Sequence, residues 1–309
     1  MTGRVVVLTG GVGGAKLVRG LAEIIPPHAI TAIANTGDDF RHFGLHISPD
    51  LDTLLYTLSG KANTAQGWGR EGESWNFMAA LRSLGGEDWF ALGDGDLALH
   101  VLRSERLAKG ETLSAITADF ANAWRIETVM LPMSNDPVAT LLETDAGTLA
   151  FQDYFVQRRC MPRVSRIEFR GAERARPAPG VPEAVVGARA ILIAPSNPYL
   201  SIDPILALPG MVETLHAASA PVVAVSPIVA GKAVKGPTAK LMNELGVSVT
   251  PAAIAGHYAD VIDGLVIDER DAADELAIAH ASTDTLMLTL ADRARVAKAA
   301  LDLAERLAA

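Results

Sequence analysis

Residues 5–16, VVVLTGGVGGAK, decide how the rest of the chain is read. Val5 to Thr9 form an apolar, β-branched run, which predicts a buried strand. Four glycines, Gly10, Gly11, Gly13 and Gly14, then crowd a seven-residue turn that ends on Lys16. Glycine lets a backbone enter φ > 0 and approach a ligand with no Cβ in the way. From Lys16 to Ile25 the pattern is helical, with Leu17, Leu21 and Ile24 on one face. A strand, a glycine turn and a helix N-terminus make an anion site, because the first-turn N–H groups have no intrahelical acceptor. The expectation is a phosphate or nucleotide cradle rather than a plain tight turn.

The stretch departs from the two commonest cradles. A Walker A loop ends Gly-Lys-Ser/Thr, the hydroxyl holding Mg²⁺, whereas Lys16 lies between Ala15 and Leu17. The dinucleotide pattern G-x-G-x-x-G fits Gly11 and Gly13 but puts Lys16 where its third glycine belongs. That missing glycine argues against an NAD-dependent oxidoreductase, and the lysine supplies a point charge for a phosphate.

Outward from this stretch, Pro26 and Pro27 stop the helix and ITAIA (30–34) is a second apolar strand, opening into Asn35, Thr36, Gly37, Asp38 and Asp39. Two strands joined by one helix suggest a right-handed parallel βαβ unit, whose ligands lie at the C-terminal strand ends. Ser48-Pro49-Asp50 starts a helix with Asp52 in its first turn and Leu51, Leu54, Leu55 and Leu58 on its buried face. Residues 61–125 show helical patterns at 75–84, 96–109 and 113–124, and the tract GWGREGESW (67–75) reads as a mobile lid. Strands are expected at 126–131, 190–194, 221–225, 247–250, 264–267 and 285–289, with a hairpin of 140–144 and 147–154. Helices are expected at 238–245 and from the 285–289 strand to Leu307. Residues 158–182 hold seven arginines, either a solvated irregular segment with one short strand or an anion-binding flank. The fold class is therefore α/β: a Rossmann-like, doubly wound, mostly parallel sheet. Residues 1–60 plus 126–309 form the nucleotide-binding core, and 61–125 a mainly helical insertion.

Composition narrows the class. The chain has 309 residues, 49% hydrophobic and 20% charged, which suits one large α/β domain with an insertion. A net charge of −9 disfavours a nucleic-acid groove. The single cysteine, Cys160, excludes an intrachain disulfide framework and fits a reducing cytoplasm. No apolar run is long enough to span a membrane, and none near the N-terminus reads as a signal peptide. Carboxylates gather at predicted strand ends and helix starts: Asp38, Asp39, Asp50, Asp52, Asp94, Asp96 and Asp136. Beside a phosphate loop, such groups hold Mg²⁺ or take a proton from an attacking hydroxyl. His42, His46, His100 and His257 show no metal-ligand spacing, and no G-x-S-x-G elbow occurs. Residue chemistry alone leads to a nucleotide-phosphate enzyme or sensor.

Seven stretches together are more specific. LTGGVGGAK (8–16), ANTGDD (34–39), ISPDLDTLLYTLSG (47–60), WFALGDGDLALH (89–100), PMSNDPVAT (132–140), IAPSNPYLSIDPIL (193–206) and SPIVAGKAVKGPTAKLM (226–242) resemble, in order, the 2-phospho-L-lactate transferase family of coenzyme F-420 biosynthesis. The resemblance implies transfer of a phospho-three-carbon acid from a guanosine diphosphate-activated donor to the ribityl hydroxyl of the deazaflavin Fo, with Mg²⁺ and release of GMP. It implies catalytic roles for Asp50 and Asp38. Donor phosphate and guanosine would meet Gly10, Gly11, Gly13, Gly14, Lys16, Ser196, Asn197, Ser226, Lys235 and Gly236. The acceptor would meet Asn35, Asp50, Trp89, Asp94 and Asp96, and the metal Asp38, Asp39 and Asp50. The acid itself stays open between phospholactate, phosphoenolpyruvate and phosphoglycerate. A homodimer, and no nucleic-acid or membrane partner, are also implied. One departure is Gly95, where many relatives carry a basic side chain. The competing expectation is a non-catalytic nucleotide-sugar-binding regulator, whose aspartate pair would run into a glycine/serine stretch instead of the Phe40–Gly44 stretch found here.

Overall fold

The computed structural model describes residues 3–234, 236–273 and 276–309. In chain order it opens with strand β1 (Arg4–Thr9), helix α1 (Gly11–Leu21) and strand β2 (Ile30–Ala34). A short hairpin, β3 (Phe40–His42) and β4 (Leu45–Ile47), leads into α2 (Pro49–Leu58). Three helices follow, α3 (Asn76–Ser83), α4 (Asp94–Ala108) and α5 (Leu113–Ala123), before β5 (Val129–Pro132). Next come β6 (Ala139–Thr144), β7 (Gly147–Ala150), β8 (Val164–Arg170), α6 (Val181–Val186), β9 (Ala188–Ile193), α7 (Asp203–Leu206) and α8 (Met211–Ala217). The last third contains β10 (Val222–Val225), the hairpin β11 (Ile228–Val229) and β12 (Lys232–Ala233), α9 (Thr238–Glu244), α10 (Pro251–His257), β13 (Gly264–Asp268), β14 (Ala279–Thr283) and α11 (Leu290–Leu307).

Seven strands form one sheet in the order β14-β13-β10-β9-β1-β2-β5, every pair parallel. The chain winds outward from β1 through β2 to β5, then restarts beside β1 at β9 and winds the other way. Strand order thus reverses at β1 and β9, which opens a crevice at their C-terminal ends. Central strands read as continuous apolar runs because helices cover both faces. Side-chain alternation along β1 divides the core. Val6 and Leu8 pack with Ile33, Ile191, Ile193, Val185, Leu215 and Ile254 on one face. Val5 and Val7 pack with Leu17, Leu21, Leu51, Leu54 and Ala297 on the other. Helix α1 crosses α11 so closely that a Cβ on Gly20 would collide with the Arg293 carbonyl.

Several elements differ from the sequence expectation. Helix α1 begins at Gly11, not Lys16, and ends at Leu21. Gly10 is its extended N-cap, and Gly11, at φ +61°, makes the turn inward. Gly13 and Gly14 are helical, and their glycine character serves close approach. A Cβ on Gly14 would strike Thr9 Oγ1, and one on Gly13 would lie 2.9 Å from the Pro195 carbonyl oxygen. The expected strand 285–289 is irregular, and its neighbour Ala279–Thr283 pairs with β13 instead. That strand is an edge of small and polar residues, so no apolar run announces it. Residues 247–250 are not a strand either: Thr250 is the N-cap of α10, its side chain accepting from Ala253 N. The hairpin ends at Ala150 and continues into a wide helical turn, while β8, from the arginine-rich segment, joins β6 as a third antiparallel strand. Helices α3 to α5 all fall within residues 61–125. Among the described residues no helix is long and apolar enough to cross a membrane.

Candidate active site

A cleft of about 590 Å³ lies across the C-terminal ends of β1, β2, β9 and β10. Gly10, Gly11, Val12 and Gly13 line its floor where β1 turns into α1. The first turn of α2 enters from the side and delivers Asp50. Gly11 N–H donates to Asp50 Oδ1 at 2.7 Å, and Asn35 Nδ2 donates to Oδ2 at 3.1 Å. A Cβ on Gly10 would lie 2.6 Å from the same carboxylate, so the glycine lets the acid reach the floor. Burial pushes Asp50 up to about 6, with the Gly11 and Asn35 bonds working against the shift. Asn35 itself is buried and does not line the cleft. Its oxygen takes Gly37 N–H at 2.7 Å and its Nδ2 also reaches the Leu200 carbonyl, so it positions Asp50.

Asp38 lines the cleft beside Asp50, with Oδ1 buried and without a hydrogen-bond partner. Burial first, then the Asp50 charge, push Asp38 well above the usual carboxylate range. Two neighbouring buried acids, one with a bare oxygen, form a donor set suited to a divalent cation that keeps water and phosphate ligands. Among the described residues no group of three or more His, Cys, Asp or Glu side chains forms a closed metal cage. Asp39 sits off the cleft lining, where Oδ2 accepts from Ser48 Oγ at 2.7 Å and lies 3.0 Å from His46 Nε2.

The donor-binding candidates divide. Ser196 Oγ donates to the Gly10 carbonyl at 2.7 Å and accepts from Gly10 N at 3.2 Å, locking the ends of β9 and β1 together. Asn197 Oδ1 caps the turn at Tyr199 and Leu200, which leaves its Nδ2 buried and without a partner at the cleft. Ser226 and Gly236 line the cleft wall. Lys16 Nζ donates to the Met287 carbonyl at 2.7 Å on the same wall. Gly14 lies behind the lining, against Thr9 and Ser196. Lys235 lies outside the described residues.

At the opposite end α4 faces α2. Asp96 lines the cleft, bonded by the Tyr56 hydroxyl and 3.2 Å from His100 Nε2. Arg103, one turn further on and buried, forms a two-armed ion pair with Asp52 and reaches the His46 carbonyl. Trp68 and Phe90 line this end. Trp89 does not: it packs edge-on against His42 and Phe90. Asp94 is also off the lining, its carboxylate engaged by Ser74, Asn76 and Phe77 N–H at the start of α3. Sequence reasoning did not single out Tyr56, Arg103 or the 285–288 wall, and it set His100 aside as structural. The i,i+4 spacing of Asp52 with Tyr56 and of Asp96 with His100, each on one helix face, was the signal for this end.

Fold and site together define a Rossmann-like α/β protein with an anion cradle and an acidic pair at its strand-order switch point. The chain matches the family model described as 2-phospho-L-lactate transferase CofD over residues 5–306, and it belongs to that family, which is enzymatic. It is 44% identical to a phosphoenolpyruvate transferase of Streptomyces griseus over 99% of this chain and 100% of that protein. It is 42% identical to a 2-phospho-L-lactate transferase of Methanosarcina mazei over 91% of this chain and 94% of that one. A crystal structure of a UPF0052-family protein from Bacillus halodurans has the same fold, with a TM-score of 0.63 at 18% identity over 97% of this chain and all of that one. The protein is therefore a transferase of the 2-phospho-L-lactate/phosphoenolpyruvate type.

Proposed function

We propose that this transferase moves a phosphoenolpyruvyl group from a guanosine diphosphate-activated donor to the deazaflavin Fo, within coenzyme F-420 biosynthesis. The observation that carries the reading is the Asp38–Asp50 pair set against the glycine turn at the switch point. The phosphoenolpyruvate donor is favoured by relatives of that name that match nearly end to end. The diphosphate lies along Gly10–Gly13 and Lys16, and the guanosine half along Ser226, Gly236 and the 285–288 wall. The flat acceptor ring lies between Trp68 and Phe90.

The ribityl hydroxyl oxygen attacks the phosphorus that bears the acid. A P–O bond forms to the acceptor, the bond to the GMP phosphate oxygen breaks, and GMP leaves with the electron pair. Asp50, deprotonated at neutral pH, orients the hydroxyl and accepts its proton; Asn35 and the Gly11 N–H fix its two oxygens. Asp38 and Asp50 are the groups that would hold Mg²⁺, which offsets phosphate charge when bound. The working protein is a cytoplasmic homodimer.

The test incubates the protein with Fo, Mg²⁺ and, separately, the guanylylated phosphoenolpyruvate and phospholactate donors, and follows GMP and the phosphodiester. Phosphodiester from the phosphoenolpyruvate donor is expected. Product from phospholactate alone overturns the choice of acid, and no product from either overturns the reaction.

A further inference from the structure

The turn after β13 lies outside the chemistry just described, yet it holds an acid enclosed more completely than Asp50. Asp268 is fully buried at the C-terminal end of β13. Its Oδ2 accepts from Thr285 N at 2.8 Å, Thr285 Oγ1 at 2.9 Å and Arg270 Nη2 at 2.9 Å. Its Oδ1 accepts from Arg270 N at 3.0 Å and Arg270 Nε at 2.6 Å. The Arg270 guanidinium continues to Asp284, whose Oδ1 also takes Leu286 N at 3.1 Å. From behind, Arg295 of α11 donates to the carbonyls of Asp284 and Leu286 at 3.1 and 3.2 Å. The segment so held, Thr285–Leu288, lines the cleft, and its Met287 carbonyl receives Lys16 Nζ.

The same turn holds a second piece of the wall. Asp271 Oδ1 accepts Gly231 N–H at 2.8 Å, at the tip of the β11–β12 hairpin. Val229 of that hairpin and Val234 just beyond it line the cleft, as do Thr285 and Leu286. Neither wall segment belongs to the main sheet: Thr285–Leu288 has no ladder, and the β11–β12 hairpin has only its own two residue pairs. Segments outside the main ladder take their position largely from side-chain bonds, and bonds to a buried charge are the strong ones.

We propose that the Asp268–Asp271 turn is the clamp that shapes the donor end of the cleft, with Asp268 a positioning residue that places Lys16 through the Thr285–Leu288 wall. The inference rests on the donor lying at this end. It predicts which half of the reaction responds. Asp268→Asn keeps the shape but replaces one acceptor oxygen by an N–H₂ donor, which must then face either the Thr285 pair or the Arg270 pair. Either choice opposes donor to donor and releases one arm.

The experiment measures GDP affinity by calorimetry and steady-state kinetics with both substrates varied. For Asp268→Asn, GDP Kd and donor KM should rise about tenfold, roughly what losing one charge-assisted bond produces. The Fo KM should be unchanged, and kcat at saturating donor should stay within about threefold. Arg295→Met loosens the same segment from the side remote from the cleft and should weaken GDP in the same direction, so it decides the matter if Asp268→Asn does not fold. Unchanged GDP affinity in the folded variants overturns the clamp, as does an equal loss for donor and acceptor. If the wild-type protein itself binds no GDP, the donor assignment has failed and the clamp with it; if it binds GDP and only the variants behave as wild type, the clamp alone has failed.

Discussion

Asp50 in its charged form lowers the stability of the fold above about pH 6. Burial raises its carboxyl to about 6 against an ordinary 3.8. Between those values the native chain holds a proton that the unfolded chain has released, so stability falls as pH rises through the window, by on the order of 3 kcal/mol. Asp50→Asn removes this titration. The melting temperature of wild type minus that of the variant, measured without divalent cation, should therefore decrease from pH 4 to pH 6.5 and level off above it; a pH-independent difference refutes the shift. The residue was legible in the sequence as a helix-start acid after Ser48-Pro49. Its environment was not, because the two groups that hold it, Gly11 N and Asn35, come from other strand ends. Asp94 teaches the converse: an acid of the same sequence type is drawn off the cleft by four local donors at the start of α3.

Helix α4 shows how an insertion is tied to a core. Its expected bounds, 96–109, fall close to the observed Asp94–Ala108, since periodicity along a long helix is a local property. Which turn of α4 docks is a tertiary matter, set by Arg103 on Asp52 of α2 with Tyr56 and His100 closing on Asp96. Removing one partner of a buried ion pair leaves an uncompensated charge, so Arg103→Met should destabilise by about 3–5 kcal/mol. Adding Asp52→Asn to it should restore part of that loss, a coupling measurable in a double-mutant denaturation cycle. Additive effects would show that the pair does not fasten the helix. Helix α1 was misread by five residues at its start. Glycine has low helix propensity, but Gly13 and Gly14 sit in the first turns of α1 because the Pro195 carbonyl, Thr9 and Ser196 press against that turn and leave room for nothing larger. The 285–289 run looked like a strand from its apolar content, and Asp268 and Arg295 hold it as a wall instead.

At the scale of the molecule, the cleft gathers acids from distant parts of the chain. Asp38 and Asp50 repel across it while Asp38 Oδ1 has no partner. On the proposed reading a divalent cation would bind the deprotonated pair, and binding to the native state alone would stabilise by mass action. Millimolar Mg²⁺ should thus raise the melting temperature by a few degrees at pH 8 and much less at pH 5, below the value of about 6 to which burial raises Asp50. Asp38→Asn should abolish the effect; equal stabilisation at both pH values, or in the variant, would remove the metal from this pair. The sequence by itself determined the doubly wound parallel α/β class, the glycine turn after the first strand, and the acids that terminate strands and begin helices. These are set by runs of neighbouring residues, through hydropathy period, turn chemistry and capping. Only the tertiary structure decided which of those acids meet, that Asn35 braces the site from behind while Ser196 ties the ends of β1 and β9 together on the cleft lining, and that a turn near residue 270 shapes the wall beside Lys16. Those depend on strand order, which brings the ends of β1, β2, β9, β10 and β13 to one edge of the sheet, and no local pattern encodes such a meeting.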